Sequence, residues 1–259
     1  MGISVDDTRS QQLHGDLLVY SALYWAEQIK LLIGGQAFNI KDHPYQVEAL
    51  NGRDRVEVFK CSTQTGKTIT QIIKRVHHLI HGEYPQGSMF IFPTTKLVRR
   101  FSQSRFTPLI EDNPEIARHI PKTDNIELKR VGKSNLYFVG GKVLQKIEGE
   151  IQTSAALKSE PVDNLVFDEL DEISDSMIDM ALHRIDHSEI KDVSYSGTPS
   201  MPDYGIDAKW QESDQRVWMI RCGKCNAYTC LELEFPDCIV VNEDGSAWRK
   251  CKKWGGVLS

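Results

Sequence analysis

The chain has 259 residues, of which 40% are hydrophobic and 26% charged, enough apolar material for one large domain or one domain with a small appendage. A net charge of −5 excludes a protein that coats nucleic acid over its whole surface and leaves room only for local basic edges. No apolar run reaches the length of a membrane span and no secretory h-region opens the chain, so an intracellular protein with no membrane partner is expected.

Residues 16–33 read as an amphipathic helix, with Leu17, Tyr20, Tyr24 and Leu31 near one face and Gly34-Gly35 as its stop. Residues 1–40 are accordingly read as a helical lead-in. A new element begins at Asp42-His43-Pro44-Tyr45-Gln46 and runs through Ala49-Leu50. The Gln46 amide can donate to one edge of adenine and accept from its exocyclic amine, a pattern that guanine would not match.

Val56-Glu57-Val58-Phe59 is β-rich, and Ile69-Thr70-Gln71-Ile72-Ile73-Lys74-Arg75-Val76 is helix-like. Between them runs Lys60-Cys61-Ser62-Thr63-Gln64-Thr65-Gly66-Lys67-Thr68. Strand, tight loop, Gly-Lys-Thr and helix form the arrangement that holds a nucleoside triphosphate such as ATP. Backbone N–H groups of Ser62, Thr63, Gln64, Thr65 and Gly66, with the positive end of the helix, would face the phosphates. Lys67 would add a point charge near the β- and γ-phosphates, and the Thr68 hydroxyl would ligate Mg²⁺. Cys61 stands where the strict pattern has glycine, so the loop looks more like the Ala-x-Thr-Gly-x-Gly-Lys-Thr form of DNA motors than like a GTPase.

Further apolar strands are expected at Ser88–Phe92, Leu136–Val139, Leu165–Phe167 and Val193–Ser196, separated by helices over 69–81, 96–110 and 176–185. That alternation implies a largely parallel sheet covered on both faces. Lys96, Arg99, Arg100 and Arg105 form one basic cluster, and Lys129, Arg130 and Lys133 another. Arg99, Arg100, Lys129 and Arg130 are candidates for phosphate-contacting loops on DNA, with a solvated face as the plainer alternative.

Asn164-Leu165-Val166-Phe167-Asp168-Glu169 is an apolar strand ending in two carboxylates. Two are needed because one is neutralised by Mg²⁺ while the other must remain a free base; Asp168 takes the metal and Glu169 the attacking water. The bland alternative is an acidic turn, continued by Asp171, Glu172, Asp175 and Asp179. Ser196-Gly197-Thr198 follows another strand, so the loop, the acidic pair and this tripeptide can converge at the carboxyl ends of parallel strands. The nucleotide core is placed at 41–210. A composition shift near residue 210 opens a module, 211–259, that holds Cys222, Cys225, Cys230, Cys238 and Cys251, a clustering that points to metal before disulfides.

Taken in order, these segments resemble the ATPase domain of tailed-bacteriophage terminase large subunits, most nearly the lambda-type branch. Tyr24-Trp25-Ala26-Glu27, Pro44-Tyr45-Gln46 and Gln64-Thr65-Gly66-Lys67-Thr68 are similar to its lead-in and phosphate loop. Phe92-Pro93-Thr94, then Phe101-Ser102-x-Ser104-Arg105 and Pro108, resemble its next block. The most specific likeness is Ser154-Ala155-Ala156-Leu157-Lys158-Ser159-x-Pro161 running into Phe167-Asp168-Glu169-Leu170-Asp171-Glu172. Ser196-Gly197-Thr198-Pro199-Ser200 resembles the coupling motif that senses the γ-phosphate, and Cys222-x-x-Cys225 falls where the branch often carries a cysteine pair.

The resemblance implies an α/β fold: a P-loop NTPase of the RecA/ASCE-like kind, a mostly parallel sheet with helices on both faces, plus a small C-terminal cysteine-containing module. It implies ATP hydrolysis with Mg²⁺, double-stranded DNA as track, and a small terminase subunit and portal protein as partners. A homo-oligomeric ring is implied when assembled and a monomer in isolation, in the host cytoplasm and transiently at the procapsid portal vertex.

Three departures accompany the likeness. The arginine finger expected before the Asp-Glu pair reads Lys158, leaving Lys158, Arg105 or another residue as candidates. The closing cysteine pair reads Cys251-Lys252-Lys253-Trp254, so Cys222, Cys225 and Cys251 supply three possible zinc thiolates, with Cys230 or Cys238 as a possible fourth and a metal-free knuckle as the alternative. No nuclease carboxylate cluster follows, so DNA cleavage is not expected of this chain. The rival readings are a superfamily 2 helicase-like ATPase, whose Gln-x-x-Gly-Arg motif is not seen after residue 200, and a non-catalytic DNA-binding adaptor built on the cysteine module.

Overall fold

Alternating side chains on short apolar strands build the centre of the molecule. A computed structural model describes residues 5–41, 43–121, 125–140, 146–147, 150–151 and 159–258. The chain divides into two compact units, Met1–Ser213 and Asp214–Ser259.

In the first unit, helices α1 (Val5–Tyr20) and α2 (Ala22–Gln28) precede a two-residue hairpin of β1 (Leu32–Ile33) and β2 (Gln36–Ala37). There follow α3 (Gln46–Asn51), β3 (Val56–Lys60), α4 (Lys67–Ile80) and β4 (Ser88–Phe92). Next come α5 (Thr95–Phe101), a π-helical turn (Ser102–Phe106), α6 (Thr107–Glu111), α7 (Pro114–Ala117), β5 (Leu128–Val131) and β6 (Ser134–Gly140). A short antiparallel pair, β7 (Lys146–Ile147) and β8 (Glu150–Ile151), leads to β9 (Asn164–Asp168), α8 (Asp175–Leu182), β10 (Asp192–Gly197) and α9 (Gly205–Gln211).

The main sheet has six strands in the order β3-β10-β9-β4-β6-β5. Every pairing is parallel except β5 with β6. Because successive side chains point to opposite faces, Phe90 and Phe92 pack with Phe138, Val166 and the α4 residues Ile72, Ile73 and Val76 on one side. Met89, Ile91, Leu165 and Phe167 pack with Met177, Ala181 and Ile206 on the other. Each fully buried side chain of this size contributes about 1.5–3 kcal/mol relative to exposure.

One polar cluster is built into this interior. Lys74 and Arg75, each 2% exposed, both pair with Glu57. Arg75 also donates to Asn164 Oδ1 at 3.0 Å and to the Ser194 hydroxyl, which binds α4 to β3, β9 and β10 at once. Burial alone would raise the Glu57 pKa, but the charges of Arg75 and Lys74 hold it below the ordinary carboxylate range. Stripping one partner from such a buried set costs more than the set itself contributes, so the cluster fixes the seat of α4 on the sheet.

The structure departs from the sequence reading in three places. The helix expected over 16–33 is broken at Ser21, whose hydroxyl accepts from Tyr24 N–H at 2.9 Å and donates to Asn51 Oδ1 at 2.9 Å. Leu32 and Ile33 leave the helix to enter β1, because Gly34 and Gly35 take positive φ in the turn between β1 and β2. The helix expected over 96–110 contains a π turn, in which Thr107 N–H reaches back to Ser102 carbonyl. Lys129 and Arg130, offered as part of a phosphate-contacting loop or a solvated face, lie on the antiparallel edge strand β5.

The second unit consists of two short hairpins, β11 (Ile220–Arg221) with β12 (Tyr228–Thr229) and β13 (Ile239–Val241) with β14 (Ala247–Arg249). Its small core is Cys222, Cys251 and Leu258.

Candidate nucleotide site

The loop between β3 and α4 is shaped by two residues with positive φ, Gln64 at 63° and Gly66 at 80°. Cys61 N–H donates to Gly197 carbonyl at 3.1 Å, which carries the β3–β10 ladder one step into the loop. Thr65 hydroxyl donates to Ser62 carbonyl at 3.1 Å and closes the turn. Thr65 carbonyl in turn accepts from Tyr45 hydroxyl at 3.1 Å and from Gln46 Nε2 at 3.0 Å. A Cβ on Gly66 would displace that Gln46 amide, and the positive φ independently favours glycine here. The amide that the sequence suggested for adenine is thereby engaged with the loop backbone, with Gln46 only 6% exposed. Ser62, Thr63 and Gln64 are exposed at the loop crest, and Gly66 leads directly into the 14-residue helix α4.

Asp168 ends β9 and is 5% exposed. Thr68 Oγ1 lies 3.0 and 3.2 Å from its two carboxylate oxygens, and Ser196 Oγ lies 3.0 Å from Oδ1. This meeting follows from register: Ser196 is the parallel partner of Asp168 on the adjacent strand. Burial raises the Asp168 pKa, while the donated hydrogen bonds from Ser196 and Thr68 oppose the rise.

Glu169 takes the left-handed conformation, φ 58° and ψ 57°. Its Oε1 lies 3.1 Å from Lys67 Nζ, and the same ammonium donates to Thr198 Oγ1 at 3.1 Å. The loop before α4, the Asp168-Glu169 pair and the segment Ser196-Gly197-Thr198 are thus joined through one lysine. Gly197 is confined between the Leu170 backbone and Ile206, where a Cβ would come within 3.2–3.3 Å of both.

The remaining candidates among the described residues do not join this centre. Lys158 lies outside the described residues. Arg105 is exposed on the π turn, and Arg99 and Arg100 are exposed in the last turn of α5. Arg130 is exposed on β5, whereas Lys129, its neighbour, is 7% exposed and does not form part of an open basic surface. The alternation of β5 explains the split, since adjacent residues on a strand face opposite ways. Sequence reasoning missed Tyr45, which supports the loop, and Asp171, which bonds the segment after Thr198. Both lie inside the blocks Pro44-Tyr45-Gln46 and Phe167-Asp168-Glu169-Leu170-Asp171-Glu172, but residue type alone gave neither a role.

Two groups of side chains in the described residues could hold a metal. The Cys222, Cys225 and Cys251 sulfurs lie within 4.8 Å of one another, with Cys225 and Cys251 3.5 Å apart. Backbone N–H groups, first that of Cys225, pull the Cys222 thiol down to about 6, which favours the thiolate a metal needs. Cys230 and Cys238 are not in this group; Cys238 donates to Leu231 carbonyl at 3.3 Å. Trp254 Nε1 donates to Cys222 Sγ at 3.2 Å from the place in the motif where a fourth cysteine would stand. The residues therefore fit three of the four corners of a zinc site. The other group is His77, His78 and Glu83, in which Glu83 already pairs with Arg53 and His78 Nδ1 bonds Tyr84 hydroxyl at 3.1 Å.

A glycine-turned loop leading into a long helix, with β10 inserted between the loop strand and the strand that ends in Asp168, defines a P-loop NTPase of the RecA/ASCE-like kind. Over residues 36–259 the sequence matches the family described as phage terminase large subunit gpA, ATPase domain, and the chain belongs to that family.

One solved structure supports the fold, and two others stand beside it. The HK97 bacteriophage large terminase superposes with a TM-score of 0.57 at 14% identity, covering 82% of this chain and 45% of that one. The large terminase of the thermophilic bacteriophage D6E gives 0.48 at 15% identity over 68% and 43% of the two chains. The Thermus phage P74-26 large terminase ATPase domain gives 0.47 at 13% identity over 68% of each. The chain thus spans less than half of the HK97 protein it resembles. Among curated proteins no relative matches.

Proposed function

We propose that this chain hydrolyses ATP to ADP and phosphate as the motor domain of a terminase, driving double-stranded DNA into a procapsid. The observation that carries the reading is the single constellation in which Lys67 meets Glu169 and Thr198 while Thr68 and Ser196 hold Asp168. The loop amides and the N-terminus of α4 would bind the phosphates, with Gly66 allowing close approach. Thr68 and Asp168 would hold Mg²⁺, which supplies charge neutralisation on the phosphate oxygens. A triphosphate draws Lys67 away from Glu169, and the freed carboxylate then orients and deprotonates the attacking water. Thr198 loses its lysine partner in the same event, so the coupling segment is informed of the bound phosphate.

The remaining cation on the transferring phosphoryl group would come from a neighbouring subunit, with Lys158 or Arg105 as candidate finger and a ring as the working form. Exposed Arg99, Arg100 and Arg130 are the residues offered to DNA phosphates. The small terminase subunit and the portal protein are the expected partners, in the host cytoplasm and at the portal vertex. The lambda-type branch is the proposed placement within the family. Among the described residues no helix is long and apolar enough to cross a membrane. Cys222, Cys225 and Cys251 would supply three thiolate ligands to a zinc ion.

Steady-state ATP hydrolysis by the wild type and by Glu169→Gln, each with and without duplex DNA, tests the reading. Turnover stimulated by DNA and lowered about 10²–10⁴-fold in the variant is expected. Equal turnover in both proteins would remove Glu169 as the base, and failure to bind ATP at all would favour a non-catalytic adaptor.

A further inference from the structure

The acidic residues after Glu169 look in sequence like a solvated turn, yet one of them is committed to a specific task. Asp171 Oδ2 accepts from Ser200 N–H at 2.8 Å and from Ser200 hydroxyl at 2.6 Å. Its Oδ1 accepts from Ile206 N–H at 2.7 Å, and its backbone carbonyl accepts from Tyr204 hydroxyl at 3.4 Å. One carboxylate therefore binds both ends of the segment 200–206. Gly205 has φ +54°, and a Cβ there would collide with the Asp171 carboxylate, so glycine at 205 is what permits the contact.

The segment joins two places that matter to the proposed motor. At one end Thr198 bonds Lys67. At the other, Ile206 is fully buried against Gly197, and α9 is pinned to the last residue of the loop strand. There Lys60 pairs with Asp207 at 2.9 Å and lies 4.2 Å from the centre of the Trp210 ring. Asp171 itself sits two residues after Glu169 in a tight turn closed by Glu172 N–H to Glu169 carbonyl at 3.0 Å.

We propose that Asp171 is a positioning residue that ties the coupling segment to the carboxylate turn, so that release of Lys67 from Glu169 and Thr198 moves residues 198–206 and α9 together. This rests on the ATPase reading above. The physical ground is that N–H and O–H donors to a carboxylate form charge-assisted bonds, stronger than neutral ones, and that three of them converge here. Asparagine at 171 keeps the shape but offers only one oxygen, and turns an amide donor toward a backbone N–H.

The test is hydrogen exchange, read by mass spectrometry over peptides within 198–211 of the whole chain, with Mg·ADP and with a non-hydrolysable Mg·ATP analogue. Nucleotide affinity is measured in parallel with a fluorescent nucleotide. In the wild type, exchange in this segment should differ several-fold between the two nucleotides. Asp171→Asn should abolish that difference while nucleotide Kd stays within about threefold, a separation that a general loss of folding would not produce. Ser200→Ala, an exposed position that removes only one of the three bonds, should reduce the difference, and should add nothing in the Asp171→Asn background. An Asp171→Asn protein that keeps the wild-type difference would overturn the proposal, as would independent effects of the two substitutions. Should Asp171→Asn not fold, an unaltered response in Ser200→Ala overturns it equally. A wild-type chain that binds neither nucleotide would instead bring down the ATPase reading on which the proposal stands.

Discussion

Ser196→Ala probes the electrostatics of the site with the removal of a single atom. Ser196 is fully buried between Phe167 carbonyl at 3.1 Å and Asp168 Oδ1 at 3.0 Å, so its one proton is shared between them. Deleting the hydroxyl removes a donor to the ionised carboxylate, a bond worth about 1.5 kcal/mol at the lower end for charged acceptors. At 1.36 kcal/mol per pH unit this raises the Asp168 pKa by about one unit. The direction is upward because the lost bond stabilised only the charged form, and it adds to the rise that burial already causes. The assay is kcat/KM for Mg·ATP hydrolysis from pH 5 to 9. The acid limb of the profile should move up by about one unit while the alkaline limb stays in place. A uniform fall in rate across the whole range, with the acid limb unmoved, would show that Ser196 acts by shape and not through the charge on Asp168.

The helix behind the loop should make the protein sensitive to acid. Burial lowers the His77 pKa to about 4, and lowers that of His78 as well. The folded value lies below the unfolded one, so this contribution to stability is fully present above about pH 6.5 and is lost as pH falls toward 4. By pH 5 His77 alone should cost about 2 kcal/mol, or roughly 4–8 °C in Tm for a unit of this size. Thermal melts at pH 7.5 and 5 check this, and His77→Gln should shrink the drop; equal melting temperatures at the two pH values would refute it. For the cysteine module, the purified chain should carry up to one zinc per molecule by elemental analysis. Cys251→Ser should weaken its retention against a chelator at least about tenfold, and a wild-type protein with no zinc and three freely titrating thiols would contradict the assignment.

Much of the candidate site was legible because its parts are local. A strand, a Gly-Lys-Thr turn and a helix are contiguous from Val56 to Ile80, and their chemistry follows from residue type and order. The same holds for Asn164–Asp168, an apolar strand whose end must emerge at the carboxyl edge of the sheet. The broken first helix was less legible. Its apolar spacing runs on through Ser21, and only the distant Asn51 decides that Ser21 caps a new helix. Lys129 and Arg130 were indistinguishable as charges until β5 formed and turned one inward and one outward.

What the sequence by itself determined, then, is the parallel α/β class and the candidate segments it carries: the loop Lys60–Thr68, the Asp168-Glu169 pair and Ser196-Gly197-Thr198. Each is a short-range pattern, and periodicity or turn chemistry reports short-range patterns directly. Only the tertiary structure decided which residues meet. Strand order placed Ser196 beside Asp168, a left-handed turn at Glu169 brought its carboxylate to Lys67, and a glycine at 205 admitted Asp171 to the coupling segment. Those contacts join residues far apart in the chain, and their geometry is set by register and by space left free. Neither quantity is written in any local run of residues.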